Sequence, residues 1–452
     1  TMNWLVLNLL LHFLIGAHGA QTTGQGFVGL DDDGNLALQP PAGRQLMVDG
    51  VALMNELADM EALVLQQQSA IAQLNATFAA QQHSIAQLNL IRLNHGFFGR
   101  IRAVDSAGVV GQYTSLALTT AGFPVISYND VANADLKLAV CADTTCSSGI
   151  TIRTIDSMGS VGLHTSLALT AAGFPVISYR DRTNRYLKLA MCAHATCSSN
   201  TTIRTIDSTG NAGVYTSLVL TTAGFPVISY YVRSNGDLKL AVCADDTCSS
   251  GTTIRTIDTD FAGHYTSLAL TTAGFPVISY YDATNGDLKL AVCADATCSS
   301  GTTIRTIDST GYVGYYTSLA LATGYLPVIS YYDITNGDLK LAVCTDATCS
   351  SGTTIRIIDS TGDVGHYASL ALTPAGFPVI SYYDNTNYDL KLAVCADATC
   401  STGTIIRTVD STGDVGLFTS LALTTAGFPV ISYFDSINDD LKLAVCADTT
   451  CF

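Results

Sequence analysis

Over residues 266–308 the apolar positions collect into four short runs, "TSLALT", "FPVISYY", "DLKLAVC" and "TTIRTID". None shows a helical period, and each has the length of a strand. The segments between them supply Gly, Asn and Asp for turns, and Asn285-Gly286 is a strong two-residue hairpin signal. The first run is small and apolar, as suits a strand crowded against an axis. The second is almost continuously apolar, which suits a strand buried on both faces. The fourth alternates and carries an arginine, which suits an outer strand.

The same four runs return along the chain, and each copy ends its third run at a pair of cysteines. The pairs are Cys141 with Cys146, Cys192 with Cys197, Cys243 with Cys248, Cys293 with Cys298, Cys344 with Cys349, Cys395 with Cys400 and Cys446 with Cys451. Successive pairs lie 51 residues apart, with one step of 50. A period of that size means stacked repeats, and four antiparallel strands repeated seven times predict an all-β, seven-bladed β-propeller over residues 97–452. The seventh copy lacks a fourth run, while an extra one, "GRIRAVD" (99–105), precedes the first copy. This N-terminal strand is expected to complete the last blade and close the ring.

Residues 97–452 resemble secreted seven-bladed β-propeller repeat proteins in general. They carry no Trp-Asp dipeptide, no kelch di-glycine and no Ser-x-Asp-x-Gly-x-Thr-Trp box of the sialidase kind, since "DSTGDVG" lacks the Thr-Trp. The resemblance therefore implies a fold and no activity. Each cysteine pair brackets the turn between third and fourth strands, with four residues between. Zinc sites favour closer pairs with added histidines, so seven local disulfides in an oxidising compartment are expected.

Ahead of the repeats, residues 1–20 read as a signal peptide with a small-x-small site at Ala17-His18-Gly19, or as a retained hydrophobic segment. Residues 21–45 form a short β- and turn-rich lead-in that resembles the start of trimeric fibre shafts. Over residues 46–94 a 3/4 spacing places Leu57, Val64, Ile71, Phe78 and Ile85 on one seam position, and Leu46, Leu53, Met60, Gln67, Leu74, Gln81 and Leu88 on the other. That spacing predicts an α-helical coiled-coil stalk about 70 Å long, with a trimer favoured by Phe78 and the glutamine layers. Asn75 and Asn200 lie in Asn-x-Thr glycosylation patterns.

A net charge of −16 argues against a nucleic-acid partner. The acidic turns suit calcium as a minor alternative, and the best candidate pairs are Asp282 with Asp287 and Asp333 with Asp338. Against this background Arg180, Arg182, Arg185 and Arg233 stand where other repeats carry Asp, Asn or Gly. They are candidates for an assembly contact, pairing head to tail with Asp282, Asp333, Asp338, Asp384, Asp435, Asp439 and Asp440 of later repeats, or for an anionic glycan site. An aromatic ring is expected where the inner strands begin, at Tyr113, His164, Tyr215, Tyr265, Tyr316, Tyr367 and Phe418. His164 and Ser166 suggest a catalytic pair, but Ser166 recurs in every repeat and so serves the repeat. The sequence-level expectation is a non-enzymatic extracellular structural protein, a subunit of an oligomeric fibril or surface appendage. The alternative is a carbohydrate-binding adhesin using the Tyr/Asp-rich face.

Overall fold

The computed structural model describes residues 27–30, 36–39, 47–48, 51–52, 62–79, 81 and 100–452. The chain divides into two units, Thr1–Gly96 and Phe97–Phe452. In the first, β1 (Phe27–Leu30) pairs antiparallel with β2 (Leu36–Gln39), and β3 (Met47–Val48) with β4 (Val51–Ala52). The second pair corrects the expected stalk at its start. Asp49-Gly50 is a two-residue hairpin signal between β-branched neighbours, and it outweighs the heptad spacing of Leu46 and Leu53. Helix α1 spans 62–79 and is exposed along its length. A coiled coil over 46–94 is not shown, and the remainder of that segment, like 1–20, lies outside the described residues. Among the described residues no helix is long and apolar enough to cross a membrane.

The second unit is a seven-bladed propeller. Strands β5 (Arg100–Asp105), β6 (Val110–Leu118), β7 (Pro124–Asp130), β8 (Asp135–Val140) and β9 (Thr151–Asp156) come first in the chain. Blade 1 is β6 to β9, hydrogen-bonded in that order, and five further sheets repeat the pattern. Blade 7 takes β5 as its outer strand, pairing Leu443 with Arg102 and Val445 with Arg100. The last blade is thereby completed by the N-terminal strand, as its sequence implied.

Three sets of polar contacts tie each blade to the next. In the innermost strands one serine accepts the N–H of a leucine in the next blade: Ser115 from Leu167, Ser166 from Leu218, and so round the ring to Ser420 from Leu116, at 2.9–3.1 Å. Ser166 is thus a structural acceptor. In the second set a fully buried tyrosine of the second strand donates to an aspartate ending the preceding blade, as Tyr128 does to Asp105 at 2.7 Å and Tyr331 to Asp308 at 2.7 Å. A lysine such as Lys340 bridges that aspartate (2.8 Å) and a second one, Asp333 (3.3 Å). The third set links hydroxyls, Ser127 with Thr165 at 2.7 Å and its equivalents. Apolar side chains fill the space between neighbours, as where Leu136 and Leu138 of blade 1 meet Leu167, Ile177 and Tyr179 of blade 2.

On the opposite face from these aspartates, every cysteine is joined to the partner five positions away. The bonds are Cys141–Cys146, Cys192–Cys197, Cys243–Cys248, Cys293–Cys298, Cys344–Cys349, Cys395–Cys400 and Cys446–Cys451. The local pairing expected from the spacing is the one observed. Its geometry rests on a left-handed bend at the second cysteine of each pair. Cys146, Cys197, Cys248, Cys298, Cys349, Cys400 and Cys451 all have φ between 46° and 58°. That bend folds the loop back until the paired Cα atoms lie 4.6–5.0 Å apart, within the range a disulfide spans. Inside most of the loops an aspartate gathers N–H and O–H donors; Asp143 accepts from Thr145, Ser147 and Ser148. Backbone and hydroxyl bonds hold such carboxyls well below their ordinary range. Seven disulfides place the chain in an oxidising, extracellular setting.

One link of the third set is missing. Ala368 stands where other blades have threonine, and the buried Oγ of Ser330 has no hydrogen-bond partner. Ala368→Thr is therefore expected to restore the bond and stabilise the protein by about 1 kcal/mol, read as a raised denaturation midpoint. A lowered midpoint would show that the site has no room for the hydroxyl.

The tyrosine–aspartate–lysine ties also set a pH window. Burial works to raise Asp308, Asp359 and Asp410, but bonds from lysine and tyrosine outweigh it and hold them low. That stabilisation is present above the unfolded carboxyl range and is lost as pH falls from about 4 through the lowered values. Burial and the neighbouring carboxylate push the Tyr128 and Tyr331 hydroxyls up, and carboxylate partners outweigh burial to raise Lys137 and Lys340. Their contribution is complete below about 10 and is lost as pH rises through the raised values. The melting temperature should accordingly hold between about pH 7 and 9.5 and fall below about 4 and above about 10. A profile still rising at pH 11 would contradict this.

Candidate functional site

At the start of each innermost strand one residue turns into the central channel: Tyr113, His164, Tyr215, Tyr265, Tyr316, Tyr367 and Phe418. All seven have φ between 50° and 54°, in the left-handed region. The strand is bulged beside them, as between Gln112 and Ser115, and the bulge aims the ring inward. Such a backbone costs on the order of 1 kcal/mol per residue, and strain of this kind concentrates at functional sites. The glycine two residues earlier makes the bend possible. At Gly111 φ is +106°, and a Cβ there would lie 2.8 Å from Leu441 Cα of the neighbouring blade.

Neighbouring ring centroids lie 4.4–4.8 Å apart all the way round, so the seven aromatics form a closed collar. Burial raises the hydroxyls of Tyr215, Tyr265, Tyr316 and Tyr367 above the ordinary tyrosine value. With the threonines that follow them and Ala368, they line a cavity of about 220 Å³. His164 is pushed down to about 3, by burial first and by the Arg180 charge second.

Outside the collar the seven blades diverge. Cross-strand neighbours at this level are Gln112 with Asn129, Leu163 with Arg180, Val214 with Tyr231, His264 with Tyr281, Tyr315 with Tyr332, His366 with Tyr383 and Leu417 with Phe434. Blades 4 to 6 are thus aromatic on both strands. His366 stacks on Tyr332 at 4.2 Å, and Asp363 accepts from the Tyr332 hydroxyl and pairs with His366 Nε2 (2.9 Å). Loops of the same face expose Phe261 (57%), Tyr312 (60%) and Tyr388 (52%). Gly286 lies under Tyr312, where a Cβ would come within 2.8 Å of its ring.

The opposite sector, on blades 2 and 3, holds the four arginines. Arg180 is half-buried, with Nη2 donating to Asn211 Oδ1 at 2.7 Å and a buried Nε that has no partner. Arg182, Arg185 and Arg233 are exposed. All three charges act on Arg180, and burial and these neighbours lower its pKa. Four of the seven aspartates expected to face the arginines in a head-to-tail contact are already neutralised. Asp282, Asp333, Asp384 and Asp435 are buried and each is paired with a lysine. The same pairing occupies one carboxylate of each pair considered for calcium: Asp282 faces Lys289 at 2.7 Å and accepts from Asn285, and Asp333 accepts from Asn336. Among the described residues no group of three His, Cys, Asp or Glu is placed to hold a metal. Asn75 is exposed on α1, and Asn200 is exposed in a cysteine loop on the face away from the collar. The second aromatic layer, Phe261, Tyr312, Tyr388 and Asn211 escaped sequence reasoning. Their only signal was departure from the consensus of the repeat at loop and strand-start positions.

No family model and no curated protein matches the sequence. Solved structures that match include an ulvan lyase, a polysaccharide lyase (TM-score 0.50, 11% identity, 78% of this chain and 96% of that one). Others are an α-L-arabinofuranosidase from Fusarium graminearum (0.44, 11%, 63% and 92%) and a Hadza microbial sialidase (0.42, 12%, 69% and 73%). At such identities the likeness shows the propeller fold alone. It does correct one expectation. Enzymes are found among the proteins similar in fold to this chain, so the reading of it as non-enzymatic does not stand.

The collar yields a direct measurement. Because His164 is held neutral far below the ordinary histidine value, it stabilises the fold above about 6.5 and this contribution is lost as pH falls toward 3. An NMR titration of its ring protons should stay flat down to about pH 5, and a midpoint near 6.5 would refute its packing within the collar.

Proposed function

We propose that this is an extracellular carbohydrate-binding propeller that holds its ligand across the collar face. The observation that carries the reading is the concentration, on this one face, of strained inward-turned aromatics, a second aromatic layer on blades 4 to 6, and exposed Phe261, Tyr312 and Tyr388. Sugars present apolar C–H faces ringed by hydroxyls. Flat aromatic side chains beside tyrosine hydroxyls and His366 meet both requirements. A polysaccharide lyase stands among the proteins similar in fold, which fits this reading without carrying it.

The fibril reading rested on a stalk over 46–94, on the stapled repeats and on the lack of a catalytic constellation, and a coiled coil over that segment is not shown. Self-association through the apolar positions of α1 remains part of the proposal, a trimer being favoured. Val64, Ile71, Leu74 and Phe78 are 48–75% exposed along the heptad seam. Several heads on one assembly would add avidity to weak individual contacts.

On a glycan array the full chain is expected to bind a defined set of polysaccharides. Replacing Phe261, Tyr312 and Tyr388 together by alanine should weaken binding roughly tenfold or more at unchanged melting temperature. Parent-like binding by the folded triple variant would remove the collar face from consideration.

A further inference from the structure

We infer that the ligand carries negative charge, and that Arg180, Arg182, Arg185 and Arg233 form a subsite for a carboxylate or sulfate ester on it. This rests on the glycan reading above and names its class.

The argument turns on what the arginines lack. Among the described residues the ion pairs are made by lysines and His366, and none of these four arginines takes part. Four cations gathered without a counter-ion repel one another, and the half-buried Arg180 bears the cost of that repulsion together with burial. Their backbones are fixed by bonds between blades. Arg182 N donates to Ser160 O (2.8 Å), Ala212 N to Arg185 O (3.0 Å) and Arg233 N to Asn211 O (3.2 Å). Arg180 reaches Asn211, and its buried Nε is left with an open donor.

Asn211 is the residue that decides the sign of the sector. In the equivalent loops of blades 6 and 7 the position is Asp363 and Asp414, whose carboxylates accept from Tyr332 and Tyr383. A neutral amide stands at the one place where a carboxylate would have neutralised Arg180. It orients the guanidinium and leaves its charge free for an anion with two acceptor oxygens.

Titration calorimetry on the full chain tests this with three probes: polygalacturonate (carboxylates only), dextran sulfate (sulfate esters only) and neutral dextran. At least one acidic polymer is expected to bind, with affinity falling as salt rises, and the one that binds identifies the anion. Asn211→Asp, which installs a residue the repeat already accepts, should weaken that binding roughly tenfold, as should Arg180→Gln with Arg233→Gln. Binding of neutral array ligands should not change. Unchanged acidic-polymer binding in both folded variants, or dextran competing equally with the acidic polymers, overturns the subsite. If the aromatic triple variant binds acidic polymer like the parent while Asn211→Asp does not, the anion site stands and the stacking reading falls.

Discussion

Each blade is held to the next by one hydrogen bond at the narrowest part of the ring, from a leucine N–H to the inner-strand serine of the blade before it. That contact recurs round the full circle, closing from Ser420 to Leu116. It constrains everything built on it, because blades spaced by one fixed contact must meet after seven steps. A small hydroxyl is what allows the innermost strands to approach so closely. The collar exists because that approach brings successive inward-turned rings to within about 5 Å of one another. The buried tyrosine–aspartate–lysine ties repeat the logic farther out, linking the end of one blade to the middle of the next. The strand β5 carries its own aspartate, Asp105, into the same tie with Tyr128.

Upon this near-symmetric scaffold the face opposite the disulfides is uneven. Every blade supplies one collar residue, but only blades 4 to 6 add histidine or tyrosine beside it, and only blades 2 and 3 add unpaired arginine. Seven equal copies could not define a directional site. The division into an aromatic half and a cationic half would offer the extended, asymmetric ligand proposed above two different ends to meet. The disulfide loops lie on the other face, so the parts that resist fraying are separated from those proposed to bind.

Much of this was legible beforehand, for physical reasons. Strand runs, turn residues and the 51-residue period report the blade directly, and the missing fourth strand with its N-terminal substitute reports the closure. Pairing of Cys192 with Cys197, and of the other six pairs, follows from a spacing that one tight loop can close. The left-handed bend at Cys197 that closes it was not legible, because cysteine carries no conformational signature of the kind glycine does. The stalk was less legible still. Leu46 and Leu53 satisfy a heptad, yet Met47–Val48 and Val51–Ala52 pair as β3 and β4, since a two-residue signal such as Asp49-Gly50 acts at shorter range than a seven-residue pattern. The acidic turns misled for a different reason. Asp282 and Asp333 look like exposed ligands in a polar loop, while the fold buries them against lysines from the next strand.

The sequence alone determined the repeat, the strand order within a blade, the number of blades and the staples, because these depend on neighbours along the chain. Only the tertiary structure decided which charges are neutralised and which are free. Asp359 and Lys391 are distant enough in sequence to look independent, and they pair at 2.7 Å across a blade boundary. Arg180 and Asn211 meet across a blade boundary without neutralisation. Charge pairing depends on distances of a few ångströms between separate strands and blades, and closing the ring is what sets those distances.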